Sequence, residues 1–247
     1  MKRYTPVLFI VLILISASCE DKEKSTDLKP ESESVSTVKA SDTTEIQQTN
    51  NSKKEEQDPW NNIEGPLLVQ EELIPFLTEY GKQNPEDRVR IVTRFGNIEV
   101  LLYKDTPLHR ANFIFLVKLE YFDNTMFHRV ANNFVIQGGN SDNPDTPKKR
   151  TKVGSYLIPS EFEAGHRHSR GAFSAAKYAE QNVSKASSPY EFFIVQSERG
   201  AHHLDNDHTV FGIVTKGMDV VDEIAKQEVG EGEWPHSNIY IKMEIIK

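Results

Sequence analysis

The pattern of apolar and polar positions divides the chain into three parts. Residues 1–19 are almost all apolar, residues 20–58 are almost all polar, and residues 59–247 mix both kinds as a globular domain does. The last part has 189 residues, which is enough to bury a core without disulfides or metals. No apolar run reaches the roughly 18 residues that a membrane-spanning helix needs. The pattern therefore excludes a protein with several membrane spans.

Alternating apolar residues predict strands in the globular part. Residues 90–103 fit two strands joined at residues 95–97, and residues 121–139 also have strand character. Residues 238–246 form a strongly alternating last strand. Many short strands with only two helices in this domain predict a mainly β fold, a closed antiparallel barrel whose mouths the helices cover.

The two helices are predicted from helical spacing of apolar residues. One begins with Pro107 in its first turn and runs through Val117, and the other covers residues 216–226. A further helical pattern at residues 66–82 predicts a short lead-in that packs on the domain. Pro75 is expected to break or kink this lead-in helix, because proline has no N–H and clashes with the preceding turn.

The first nineteen residues have the order of a secretory signal. A basic start at residues 2–3 precedes an apolar run at residues 7–15 and small residues at 16–18. Cys19, the single cysteine of the chain, follows directly, and this arrangement resembles a bacterial lipoprotein signal. Ser16 stands where such signals usually have leucine. The alternatives are an ordinary signal peptide with a chance cysteine, or an uncleaved anchor, for which the run is too short.

Residues 20–58 predict a disordered tether. They contain eleven Ser or Thr, eleven Asp or Glu and six Lys, for a net charge of −5. Such a segment buries too little apolar area to offset its ordering entropy. The expected organisation is a signal peptide at 1–18, lipidated Cys19 and tether at 19–58, a helical lead-in at 59–87 and one domain at 88–247. The expected location is the cell envelope, at the periplasmic face or the outer membrane surface.

Residues 127–139, FHRVANNFVIQGG, resemble the signature FHR(I/V)xxxFxxQGG of the cyclophilins. Four further matches follow the family's order around this run: Phe95-Gly96-Asn97-Ile98, Gly171-Ala172-Phe173-Ser174, Phe192-Phe193-Ile194, and Leu204-Asp205 followed by His208-Thr209-Val210-Phe211-Gly212. The resemblance covers about residues 88–247. It implies an eight-stranded antiparallel barrel with two capping helices, and peptidyl-prolyl cis-trans isomerase activity on proline-containing polypeptides.

The resemblance also implies the site residues. Arg129 is the expected catalytic cation, and Gln137 is the expected support for it and for the substrate carbonyl. The remaining substrate-binding residues implied by the family are Phe127, Phe134, Val135, Ala176, Phe193, Leu204 and His208. Catalysis of this rotation needs no nucleophile, cofactor or metal, because no covalent bond forms or breaks.

Three departures from the family pattern leave a second function open. Lys177 replaces an asparagine, Glu191 replaces a glutamine and adds a charge near Arg129, and His203 replaces the tryptophan of cyclosporin-sensitive members. The alternative to an enzyme is a catalytically weak proline-peptide binding module of the same fold. The histidine clusters lack the spacing of a zinc site, so no metal is expected. The net charge of −8 argues against nucleic-acid binding. We also expect the protein to be a monomer.

Overall fold

The computed structural model describes residues 65–178 and 184–247. The predicted signal peptide, Cys19, the tether and the first part of the lead-in fall within residues 1–64, so these predictions lie outside the described residues. Within the described ranges, no helix has the length and apolar character that crossing a membrane requires.

The domain is built on one sheet of eight strands. The strands are β1 (Arg88–Thr93), β2 (Gly96–Leu102), β3 (Met126–Ala131), β4 (Val135–Asn140), β5 (Ala172–Ala175), β6 (Phe192–Val195), β7 (Val210–Lys216) and β8 (Lys242–Ile245). Their order across the sheet is β3-β4-β6-β5-β7-β2-β1-β8, and all neighbouring strands are antiparallel. The prediction of a mainly β, eight-stranded antiparallel fold is confirmed.

The closed barrel is not confirmed, because the sheet curls into a half-barrel. Its end strands β3 and β8 share no ladder, and a single isolated bridge joins Met126 to Tyr240. The predicted strand over residues 238–246 is regular only at Lys242–Ile245. The residues before it hydrogen-bond to the turn ahead of β3, where the Ile241 N–H donates to the Thr125 carbonyl at 2.8 Å.

Four α-helices accompany the sheet in the described part of the chain. They are α1 (Leu73–Gln83), α2 (Pro107–Lys118), α3 (Asp145–Val153) and α4 (Met218–Ala225). The predictions of α2 and α4 are confirmed, with Pro107 at the start of α2. Residues 109–117 of α2 are all buried, because the core of the curled sheet lies on one side of this helix and α1 covers the other.

The lead-in forms α1, and Pro75 does not break it. The helix begins at Leu73, so Pro75 falls in the first turn, where backbone N–H groups have no intrahelical partner. Gly81 lies inside the helix. It lets α1 approach α2 closely, since a Cβ at Gly81 would lie 3.1 Å from the Cβ of Ala111. The Arg110 Nη2 also donates to the Gly81 carbonyl at 3.0 Å.

Helix α3 was not predicted, because its sequence DTPKKRTKV has almost no apolar residue. Tertiary contacts hold it instead. The buried Nζ of Lys149 donates to the carbonyls of Tyr121 and Asp123 at 3.1 and 2.6 Å. Burial lowers the pKa of Lys149 to about 8, against the opposing effect of Asp123. Its neighbour Arg150 contacts the carboxylate of Glu191 and the hydroxyl of Tyr121.

Two groups of buried apolar residues result. The larger group fills the space between the inner sheet face and α2, and it contains Phe113, Phe173, Phe192 and Phe211. The smaller group lies apart from it, around Val135, Phe193, Val195 and Val210, with Phe134 and Leu204 packed against it and half-buried. The smaller group is the floor of the open pocket described next.

Candidate active site

An open pocket of about 240 Å³ lies over β3, β4 and β6. Its lining residues are Arg129, Phe134, Val135, Gln137, Ala176, Lys177, Phe193, Leu204 and His208. The structure therefore brings together eight of the nine residues that the sequence predicted for the site, and adds Lys177. A larger pocket of about 730 Å³ lies elsewhere, between the lead-in and residues 150–157, and contains none of the predicted residues.

The strand register explains why the polar and apolar residues meet. Arg129 on β3 lies opposite Gln137 on β4, and Gln137 lies opposite Phe193 on β6. Residues opposite each other in antiparallel strands project on the same side of the sheet. A cation, an amide and an aromatic ring therefore form one row across three strands.

Phe127 does not belong to this pocket, so its assignment to substrate binding is wrong. Simple alternation would place Phe127 on the same side as Arg129, but the register shifts between them. Phe127 pairs with Gly138 and is only 1% exposed. It lies in the main core, where the centroid of its ring is 6.0 Å from that of Phe192. A β-bulge re-aims side chains in this way, because it puts an extra residue in one strand.

The guanidinium of Arg129 is held from one side. Its Nε donates to Oε2 of Glu233 at 2.6 Å, and its Cζ lies 5.8 Å from the centre of the Phe134 ring. The side chain keeps 36% of its surface exposed, at the mouth of the pocket. The cation is thus placed beside an aromatic wall while remaining accessible to a ligand.

Glu191 contacts a different arginine from the one expected. Its Oε1 accepts from the Arg150 Nη2 at 3.0 Å, and its Oε2 accepts from the Gln137 Nε2 at 3.0 Å. The Nε2 of His128 lies 3.6 Å from the same Oε2. Burial raises the pKa of Glu191, but His128 and Arg150 outweigh it and hold the pKa below its usual range. The ionised carboxylate therefore fixes the amide of Gln137 and does not touch Arg129.

The apolar floor is braced by aromatic contacts. The ring of Phe193 is stacked on the ring of His168, with 5.7 Å between the ring centroids. It is nearly perpendicular to the ring of His208, with 5.6 Å between the centroids. The ring of Phe134 stacks on His203 at 5.3 Å, at the position where the sequence departs from a family tryptophan. These contacts leave an apolar surface suited to a small apolar ring.

Lys177 and His208 form the polar edge of the pocket. The Lys177 Nζ lies 2.7 Å from Oδ2 of Asp207, and the Nδ1 of His208 lies 3.3 Å from the same oxygen. Burial, together with the charge of Lys177, lowers the pKa of His208 to about 4. His208 is therefore neutral at physiological pH, and the pocket edge carries one balanced ion pair.

The alternating histidines His166 and His168 have separate partners. The Nε2 of His166 contacts Asp105 at 2.9 Å, whereas the Nδ1 of His168 contacts Asp205 at 2.9 Å. The Nε2 of His168 contacts the buried hydroxyl of Ser174 at 3.0 Å. Burial lowers the pKa of His168. These contacts tie loops to β5 beneath the pocket floor.

Two residues at the site were not predicted from the sequence. Glu233 is 104 positions from Arg129, in a polar turn with no distinguishing pattern. Arg150 belongs to the unpredicted helix α3. The only sequence signal for Arg150 was indirect: an unexpected acid at position 191 needs a cation if it is buried.

Comparison with known proteins gives one consistent family. The model of the family described as cyclophilin type peptidyl-prolyl cis-trans isomerase/CLD matches residues 88–245. A peptidyl-prolyl cis-trans isomerase of Acinetobacter baylyi is 37% identical over 141 residues, covering 56% of this chain and 71% of that protein. The peptidyl-prolyl cis-trans isomerase-like 2 of Rhizopus delemar is 36% identical over 165 residues, covering 66% of this chain but only 29% of that protein.

A solved structure gives the same result. The Cryptosporidium parvum cyclophilin type peptidyl-prolyl cis-trans isomerase, crystallised in the presence of the dipeptide Ala-Pro, superposes with a TM-score of 0.54 at 25% sequence identity. The alignment covers 65% of this chain and 99% of that one.

Proposed function

This chain belongs to the cyclophilin family of peptidyl-prolyl cis-trans isomerases, and we propose that it accelerates X-Pro rotation in exported polypeptides with Arg129 stabilising the twisted amide. The observation that carries this proposal is the row of Arg129, Gln137 and Phe193 across β3, β4 and β6. The row puts a cation, held by Glu233, beside an apolar floor.

The chemistry follows from amide resonance. Rotation about a peptide bond has a barrier of about 18–20 kcal/mol, because the bond is partly double. Twisting the bond localises a lone pair on the proline nitrogen. A donor that meets this lone pair lowers the barrier, since it binds the twisted state better than either planar state. A guanidinium suits this role, because it is always charged and carries several donors in one plane.

The other pocket residues hold the substrate around that cation. Phe134, Val135, Phe193 and Leu204 receive the proline ring, and His208 closes the pocket edge in its neutral form. Gln137 contacts the substrate backbone, with its amide orientation set by Glu191. Ala176 leaves room for the peptide. Its own N–H and carbonyl are used inside the protein, by the Glu191 carbonyl and the Ser188 N–H.

The deciding experiment measures isomerisation of a proline tetrapeptide by the full chain, and separately the affinity of the same peptide. We expect Arg129→Ala to lower kcat/KM by about 100-fold, the usual effect of removing one electrostatic stabiliser, with a much smaller change in Kd. Arg88→Ala is the matched control, an exposed arginine on β1. Equal losses of activity and affinity would contradict transition-state stabilisation. A folded wild type that binds peptide without turnover would establish the binding module instead.

We propose in addition that Cys19 carries lipid and holds the enzyme at the cell envelope. Support comes from the order of basic, apolar and small residues before the single cysteine. Acyl chains bind a membrane surface without spanning it, and stable anchoring takes more than one chain. The test is incorporation of labelled palmitate in bacterial cells. Wild type should take up label and fractionate with membranes, and Cys19→Ser should do neither. Label that persists in Cys19→Ser overturns the assignment.

A further inference from the structure

A turn near the end of the chain reaches the cation of the pocket. Residues Glu231–Glu233 form one turn of 3-10 helix, bounded by a bridge between Val229 and Pro235. The Gly230 N–H donates to the Trp234 carbonyl at 2.8 Å, which closes the turn. The turn packs against β3, the strand that carries Arg129.

The contact with Arg129 leaves part of the guanidinium available. Glu233 accepts from Nε at 2.6 Å, and the described part of the chain offers the two Nη atoms no hydrogen-bond partner. A carboxylate on Nε fixes the guanidinium at its inner end. The two Nη groups at the outer end therefore remain available to a ligand. Gln137, the residue opposite Arg129, donates its amide to Glu191. Glu233 is thus the carboxylate that contacts Arg129 in the described structure.

The backbone of the turn is held in an unfavourable conformation at this residue. Glu233 has φ of 61°, in the left-handed region that residues with a Cβ rarely adopt, and Gly232 before it has φ of 67°. Such conformations persist only where the surroundings enforce them, and they cluster at functional sites. The next residue supplies an anchor, because the Trp234 ring lies 5.8 Å from the ring of His128, the neighbour of Arg129.

We propose that Glu233 is a positioning residue for the isomerase reaction, holding Arg129 by Nε so that its Nη groups meet the substrate. This inference rests on the proposed function. Arginine has many rotamers, and a restraint on Nε removes most of them before substrate arrives. Glu233 itself does not contact the substrate. It therefore affects the rate of rotation more than the binding of peptide.

The test compares Glu233→Ala, Glu233→Gln and the control Glu231→Gln in the full chain. Glu231 is an exposed carboxylate in the same turn. The pair is partly exposed, so we expect Glu233→Ala to lower kcat by about two- to fivefold with KM changed less than twofold. Glu233→Gln keeps an acceptor without its charge, and we expect an intermediate loss. We expect no change for Glu231→Gln.

Two further measurements separate positioning from general damage. Glu233→Ala should cause no additional loss in an Arg129→Lys background, because lysine has no Nε–H at that position. Proton exchange at the Arg129 Nε, measured by NMR, should be faster in Glu233→Ala than in wild type. An unchanged or raised kcat in Glu233→Ala overturns the proposal, as does an equal loss in the Arg129→Lys background. An inactive wild type would instead overturn the proposed function itself.

Discussion

Replacing Arg150 with methionine removes the cation that faces the buried carboxylate of Glu191. The Nη2 of Arg150 lies 3.0 Å from Oε1 of Glu191, and the two side chains are 24% and 12% exposed. Methionine keeps the apolar stem that packs near Tyr190, but it also loses the hydrogen bond from the Arg150 Nε to the Tyr121 hydroxyl. His128 and Gln137 still contact the carboxylate in the variant.

The expected cost follows from distance and burial. Two unit charges 3.0 Å apart attract by about 5.5 kcal/mol at an effective dielectric constant of 20. Part of this attraction offsets the desolvation of the arginine, which the variant avoids. We therefore expect Arg150→Met to lower the free energy of unfolding by about 3 kcal/mol near neutral pH, as breaking buried pairs usually does.

This cost should depend on pH. In wild type the pKa of Glu191 is depressed, so its contribution to stability is present above the unfolded pKa of about 4.3 and is lost as pH falls through the folded pKa. Without Arg150, less positive charge opposes the effect of burial, so the folded pKa of Glu191 rises. The variant then protonates Glu191 in mild acid, and its deficit against wild type shrinks as pH falls.

Urea unfolding near pH 7.5 and near pH 4 tests this reasoning. We expect the deficit near pH 4 to be less than half of that near pH 7.5. The double variant Arg150→Met/Glu191→Gln should recover most of the loss, because it leaves no unpaired buried charge. Lys104→Met, which removes a 76% exposed lysine from its pair with Asp87, should change stability by less than about 0.5 kcal/mol. A deficit that is the same at both pH values, or a double variant as unstable as the single one, would refute the role assigned to the charge.

Two further predictions concern packing. Phe127→Ala should lower the free energy of unfolding by about 3–5 kcal/mol, whereas Phe134→Ala should cost less stability and lower kcat/KM more strongly; urea unfolding and the tetrapeptide assay distinguish them. Gly139→Ala should destabilise by more than about 3 kcal/mol, because a Cβ at φ of 98° would lie 2.1 Å from the Tyr190 carbonyl oxygen. Gly165 also has a positive φ but faces open space, so Gly165→Ala should lower the free energy of unfolding by only about 1–2 kcal/mol. A similar loss of stability in the two variants would contradict the steric reason.

Much of the fold could be predicted because local pattern and tertiary structure agree there. Alternating residues mark β1 and β2, and helical spacing with Pro107 marks α2. Helix α3 shows the opposite case. Its charged sequence has no apolar face, and it is held by hydrogen bonds from Lys149 to carbonyls more than twenty residues away. Local pattern does not encode contacts of that kind.

The candidate site was also predictable only in part. By itself the sequence determined the family, the mainly β fold and the residue types of a cationic, apolar pocket, because strand alternation and an ordered motif are local properties. Only the tertiary structure decided that a bulge turns Phe127 into the core, that Arg150 holds Glu191, and that Glu233 holds Arg129. Register and the approach of distant loops decide such contacts, and both depend on how the whole sheet curls.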